Sequence, residues 1–209
     1  MKNNHAIAAP SPTAPPRARP TIGYLARTLN GDTDQALWSY ITDAARKRDL
    51  NLFCFMGQCL YDPRDFQAQA NILYDLASAQ NVDGLISWAS AIGTYVDAEE
   101  QRTFHARYRP LPVVPIGGTV EGFPGVMIDG YTGMRAAILH LIETHGCRHI
   151  GFIRGPENHT QAQERYRAYV ETLEEYDLPV DARLITPPQH FAHKTGVDAI
   201  CLLLDERNL

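Results

Sequence analysis

Cysteine is scarce: four in 209 residues, at Cys54, Cys59, Cys147 and Cys201, with no regular spacing. That pattern is not a disulfide framework, and the expected state is reduced, mostly buried thiols. Long apolar runs are missing too. No stretch approaches the 18 residues a membrane-spanning helix needs. Nor is there an excess of positive charge: 19 basic against 24 acidic residues gives a net charge of −5. This argues against a broad basic face that grips a phosphate backbone. The first residues lack an apolar core long enough for a secretory signal, since Ala6-Ile7-Ala8-Ala9 is too short, so a cytoplasmic chain is expected. Phosphate-loop and nucleophile-elbow motifs are absent as well: no G-x-x-x-x-G-K-[ST], no G-x-G-x-x-G after the first strand, no G-x-S-x-G.

What is present is ordinary globular composition, 44% hydrophobic and 21% charged. Residues 1–20 carry five prolines between Pro10 and Pro20 and read as a disordered, partly polyproline II tail. From Thr21 onward short apolar runs alternate with helical periodicity. Strands are expected at Thr21–Ala26, Leu50–Phe55, Val82–Trp88, Pro112–Ile116, Gly125–Ile128, Ile150–Ile153 and Leu184-Ile185. The first helix begins near Asp32–Asp34 and runs to Arg46-Lys47-Arg48. A second opens at Asp62-Pro63, with Phe66, Ala70, Leu73 and Ala77 as its buried stripe. Further helices fall at Glu99–Tyr108, Thr132–His145 and Gln161–Tyr176, and a last one buries Val197, Ile200, Cys201 and Leu204.

This βαβα order predicts an α/β fold with parallel sheets covered on both faces. Ligands of such sheets bind in the crevice at the carboxyl ends of the strands. The loops to inspect are therefore Arg27–Asp34, Ser87–Thr94, Gly117–Gly122, Asp129–Gly133 and Gly155–Glu164. The last helix reaches Leu209 without a following strand, so a fragment or a truncated reading frame is expected.

Three blocks carry a family resemblance. The first is I-G-Y-L-A-R-T-L-N-G-D with A-A-R-K-R-D-L-N-L and V-D-G-L-I-S. The second is V-M-I-D-G-Y-T-G-M followed by H-L-I-E-T-H-G-C-R-H-I-G-F-I-R-G-P. The third is E-R-Y-R-A-Y-V-E-T-L-E-E-Y-D-L-P-V-D. In this order, over roughly Thr21 to Leu209, they resemble the effector-binding half of the LacI/GalR regulators. The resemblance implies a two-lobed periplasmic-binding-protein-like type I fold, its second lobe incomplete: tail 1–20, first lobe 21–128, partial second lobe 129–209. It implies a sugar- or nucleoside-like effector bound by cleft closure and a homodimer. It implies neither enzyme activity nor a cofactor, and no metal site or membrane. The family's N-terminal helix-turn-helix has no counterpart here, so direct DNA binding by this chain is not expected. A transport-type solute-binding protein, or an α/β enzyme, are the alternatives.

The resemblance also indicates site residues. Arg165 matches an arginine that grips ligand hydroxyls or a carboxylate; the alternative is a surface ion pair with Glu164 or Glu171. Asp129 matches a ligand-contacting or hinge aspartate, with helix capping as its other reading, and Tyr131 is its neighbour. Trp88, at the end of a strand, is placed to stack on a sugar or base face, or to pack in the core. Asn30 and Asp32 lie where the family usually runs S-N-P-F-F. Here the proline and both aromatics are replaced by Asp32, Thr33 and Asp34, which makes that wall polar and acidic. His145–His149 and the His190-x-x-His193 pair fall short of four convergent metal ligands.

Overall fold

A computed structural model describes residues 19–189, 191 and 193–207. The proline-rich segment 1–18 and His190 lie outside the described residues. Four parallel strands make one sheet in the order β2-β1-β3-β4: β1 Thr21–Ala26, β2 Asn51–Met56, β3 Gly84–Ser87 and β4 Val113–Pro115. Register pairs Tyr24 with Cys54 on one side and with Ile86 on the other. Helix α1 (Asp32–Lys47) links β1 to β2; α2 (Asp65–Ala68) runs into a 3-10 segment, Gln69–Leu76, before β3. Helices α3 (Ala89–Ile92) and α4 (Ala98–Ala106) lead to β4. Then follow α5 (Gly130–Glu143), α6 (Thr160–Glu175) and α7 (His193–Cys201), the last relaxing into a π turn at Leu202–Glu206.

Alternation along the strands sorts the core. Leu25, Phe55, Leu85 and Val113 point to one face and pack with Tyr74, Phe104 and Tyr108. Tyr24 and Ala26 point to the other and meet Ile41 of α1. A separate core forms where α5 lies on α6, from Ile138, Ile142, Ile150, Phe152, Tyr169 and Leu173. The Tyr169 hydroxyl donates to the Ile150 carbonyl at 2.8 Å, which satisfies its one buried polar group.

Five sequence expectations need correction. The helix after Pro63 does not bury Phe66 and Leu73, which are 72% and 40% exposed. From Gln69 its backbone tightens to three residues per turn, so Leu73 falls outside the α-helical stripe and Tyr74 turns inward instead, while Ala77 is buried as expected. Gly125–Ile128 and Ile150–Ile153 each contribute one isolated bridge among the described residues, Val126 to Ile116 and Phe152 to Ile185. Leu184 closes a short 3-10 turn, leaving only Ile185 to pair. In the last helix Val197, Ile200, Cys201 and Leu204 are exposed, and Ala199 and Leu203 are buried in their place. That apolar stripe faces solvent among the described residues, while Leu203 on the other side lies near Gly151. Of the thiols, Cys59 is buried, Cys54 and Cys147 half-buried and Cys201 exposed.

One buried ionisable group ties sheet to helix. His105 of α4 places Nδ1 2.7 Å from the Gln101 carbonyl, which can only accept, and Nε2 2.8 Å from the Ser87 hydroxyl. Both bonds suit the neutral ring, and burial pushes its pKa below 6.5. As pH falls through 6.5 the unfolded chain takes up a proton that the folded ring resists, so stability is full above that pH and falls below it. Urea midpoints at pH 7.5 and 5.5 should therefore fall more for the wild type than for His105→Gln.

Candidate functional site

The crevice forms where the carboxyl ends of β1, β3 and β4 face the N-terminal end of α6. It encloses about 470 Å3, within the usual range for small-ligand sites. From the sheet side come Arg27, the Gly31–Asp34 turn, Cys59, Trp88, Ser90, Thr94, Tyr95 and Gly117; from the other side come His159, Gln161, Arg165 and Phe191. The wall is mixed in charge, with two guanidiniums and two carboxylates, and carries several aromatic rings.

Two glycines make room for it. Gly117 has φ +79°, and a Cβ there would lie 2.4 Å from Ser90 Oγ. Gly130 opens α5, and a Cβ on it would lie 2.9 Å from Gln161 Oε1 and 3.4 Å from Arg165 Nε. The two α6 side chains therefore lie over the start of α5. His159 caps α6 by accepting the Ala162 N–H at Nδ1, 3.3 Å, and its ring stands edge-on to Phe191. Burial, and then the nearby Arg165 charge, push the His159 pKa down, which favours the neutral ring.

On the opposite wall Asp34 is buried. Its Oδ2 accepts the Gly31 N–H at 3.0 Å, fixing the first turn of α1, and lies 3.9 Å from the Arg27 guanidinium. Burial raises the pKa of Cys59 beside them, so the thiol stays protonated.

Of the residues singled out from sequence, Arg165, Trp88 and Asp32 line this cavity. Neither expected acidic partner holds Arg165: Glu164 pairs with Arg167, and Glu171 accepts the Tyr131 hydroxyl. Trp88 does double duty, packing partly into the core beside Ile86 and Ile116. Asn30, Asp129 and Tyr131 are not among the lining residues. The Asn30 N–H donates to Thr28 Oγ1 at 3.2 Å within its own loop. Asp129 is an exposed cap of α5, accepting the Thr132 N–H at 2.9 Å, and that bond holds its carboxyl below the usual range. Tyr131 sits on the side of α5 that meets the outer face of α6, with the Arg167 guanidinium 4.8 Å from its ring centre.

Sequence reasoning passed over Arg27, Asp34, His159 and Gln161. Their signal was positional: each stands in a loop or first helical turn that the strand order already aimed at the crevice.

No group of three or more His, Cys, Asp or Glu side chains able to hold a metal occurs among the described residues. His140 and His145 approach as a pair, 3.1 Å between ring nitrogens. No described helix is long and apolar enough to cross a membrane.

No protein-family model matches the chain. Among curated proteins it is 35% identical to the ribose operon repressor of Bacillus subtilis over 89 residues, 42% of this chain and 25% of that one. It is 27% identical to the transcriptional repressor CytR of Escherichia coli over 150 residues, 72% of this chain and 41% of that one. The matches thus span less than half the length of these relatives. Among solved structures, the transcription regulator CcpA of Lactococcus lactis superposes with a TM-score of 0.71 at 24% identity, covering 90% of this chain and 65% of that one. A LacI-family regulator from Burkholderia phymatum gives 0.71 at 22%, with the same coverage. A complex of the regulator CelR with cellobiose gives 0.69 at 23%, covering 91% and 57%.

Proposed function

We propose that this chain, which has the fold of the LacI-family regulators and relatives among their repressors, is the effector-binding part of such a regulator. The observation that carries this reading is the mixed polar and aromatic cavity whose walls come from both sides of the 128/129 boundary. We place the first lobe at 21–128 and the second from 129 onward. A ligand that touches both lobes binds the closed arrangement better and shifts the population toward it. The difference in affinity between open and closed states sets the size of the signal.

The effector is a sugar- or nucleoside-like molecule, and the chain binds it without turning it over. Arg165, Trp88 and Asp32 contact it; Asp129, capping α5 beside the crossing, acts as a hinge residue. With a net charge of −5, transcriptional output rests with another module. The protein works in the cytoplasm as a homodimer.

The test is a thermal-shift panel of D-ribose, cellobiose, D-xylulose, adenosine and cytidine. A ligand at a hundredfold its Kd adds about 2.7 kcal/mol. In a chain of this size that raises Tm by roughly 5–10 °C. No shift with any of the five overturns the reading.

A further inference from the structure

His159 stands just before the first turn of α6, and its half-buried ring bonds to both sides of the crevice. On its own helix, Nδ1 accepts the Ala162 N–H at 3.3 Å. An accepting nitrogen carries no proton, so the neutral ring's one N–H is on Nε2. The ring also bonds to the Ser90 backbone, and the acceptor there is the carbonyl, because that bond favours a protonated ring. Ser90 lies on the sheet side of the crevice, in α3. That helix is a single turn, Ala89–Ile92, and leaves its final carbonyls without an N–H of the helix to accept. The Thr94 hydroxyl competes weakly for the Ser90 carbonyl: it is 3.5 Å away, against 2.9 Å from that of Ala91.

These two bonds need the neutral ring. A second proton on Nδ1 would set a donor against the Ala162 donor and place a cation at the positive end of the α6 dipole. The charged groups lining the same crevice are Arg165 on α6 and Arg27, Asp32 and Asp34 on the opposite wall. Burial opposes the cation most, and Arg165 next. The Ser90 carbonyl and the backbone of His159 itself favour it, without outweighing burial. Cys59 and Tyr95, also on the wall, have their pKa values raised by burial and stay neutral in weak acid. Glu157, two residues before the ring, lies 3.8 Å from the Arg154 guanidinium.

We infer that His159 is a pH-sensing positioning residue: neutral, it ties the first turn of α6 to Ser90 across the crevice; protonated, it gives up the cap of α6 and effector binding weakens. The inference rests on the effector reading above and adds a regulatory input to it. Gln161 lies in that first turn and Arg165 follows a turn later, both on the crevice wall. Losing the cap loosens the turn that aims them, so a proton that never touches the ligand lowers its affinity. Binding holds the neutral ring, so ligand and proton oppose each other. Affinity is therefore full above the pKa of the ring and falls below it, by at most about tenfold per pH unit.

The experiment combines titration calorimetry, using the panel sugar or nucleoside that binds best, with nuclear magnetic resonance of the ring nitrogens. Both run from pH 7.5 to 5.0 on wild type, His159→Asn and His159→Gln. Asparagine still caps a helix and does not titrate; glutamine still offers an N–H toward Ser90. In the wild type the ring is the Nε2–H tautomer at pH 7.5. Its affinity falls about threefold or more by pH 5.0, with the midpoint at which the ring titrates. In both variants affinity does not change with pH, and in His105→Gln the wild-type loss persists. A merely structural cap would weaken both variants at pH 7.5 and leave the pH dependence in place, and that result overturns the inference. So does a wild-type affinity that is flat with pH, or a loss that vanishes in His105→Gln instead. Failure of every panel member to bind overturns the effector reading and the coupling to it. The tie to α6 is then judged by the ring alone, and an Nδ1–H tautomer at pH 7.5 overturns that.

Discussion

Replacing Arg165 by alanine should cost about 1–3 kcal/mol of effector affinity, a loss of roughly 5- to 150-fold. The guanidinium lines the crevice, lies over Gly130, and has neither Glu164 nor Glu171 to neutralise it. A group without an ion pair has little stability to lose, so thermal unfolding of the free protein should change by no more than ~0.5 kcal/mol. Calorimetry on the best-binding panel ligand reads the first quantity and a urea titration the second. Unchanged affinity removes Arg165 from the site. Reduced stability with unchanged affinity makes it a structural residue. Lysine at the same position should recover only part of the loss, since a point charge cannot reproduce a planar fork.

The largest effect on stability should come from Tyr74. Its side chain is fully buried in the first core, and its ring meets Phe104 edge to face at 5.4 Å. The hydroxyl, with one proton to give, lies 2.9 Å from the Ala26 carbonyl at the end of β1 and 2.6 Å from that of Gln58 just past β2, and donates to one of them at a time. Tyr74→Ala removes the ring and the hydroxyl's bond, while the Ala26 carbonyl keeps the Gly57 N–H, at a cost of about 3–5 kcal/mol. Tyr74→Phe keeps the ring and should cost about 1–3 kcal/mol. Chemical denaturation of both variants separates packing from hydrogen bonding, and a Tyr74→Ala cost under about 1 kcal/mol would contradict the described core. Gly57 belongs to the same arrangement, since a Cβ there would come within 2.4 Å of the Tyr74 ring.

Tyr74 also shows where sequence pattern stops. The first sheet was legible because β1 and β3 are mostly buried and all four strands read as apolar runs between turn residues, although edge strand β2 leaves Phe53 and Met56 exposed. Helices α1, α5 and α6 were legible because their α-helical spacing is the spacing they adopt. The segment after Pro63 was not, since the change from α to 3-10 geometry at Gln69 leaves no mark in a hydrophobicity pattern and yet decides that Tyr74, not Leu73, is inside. Val126 and Phe152 sit in runs that look like strands, but a strand is defined by its neighbour, and sequence does not supply one.

The crevice shows a similar division. Strand order alone pointed to the loops that form it. Inside them Asp34 read as a helix-start residue, which it is, and nothing in the letters says that one carboxylate oxygen caps the helix and the other lacks a partner. Tyr131 and Asp129 were chosen by their place in a motif. The turn of α5 carries Tyr131 toward Arg167 and Glu171 and leaves Asp129 holding the helix end.

The thiols described with the fold have a chemical consequence. Thiol oxidation and exchange run through the thiolate. Burial raises the pKa of Cys54 to about 11 and also raises that of Cys59. Cys201, out in solvent, is raised as well, first by its hydrogen bond to Asp205 and then by desolvation and surrounding acidic charge. The most accessible sulfur is thus also kept protonated at neutral pH. An unpaired surface cysteine reacts through its thiolate, and the carboxylate beside Cys201 disfavours that form.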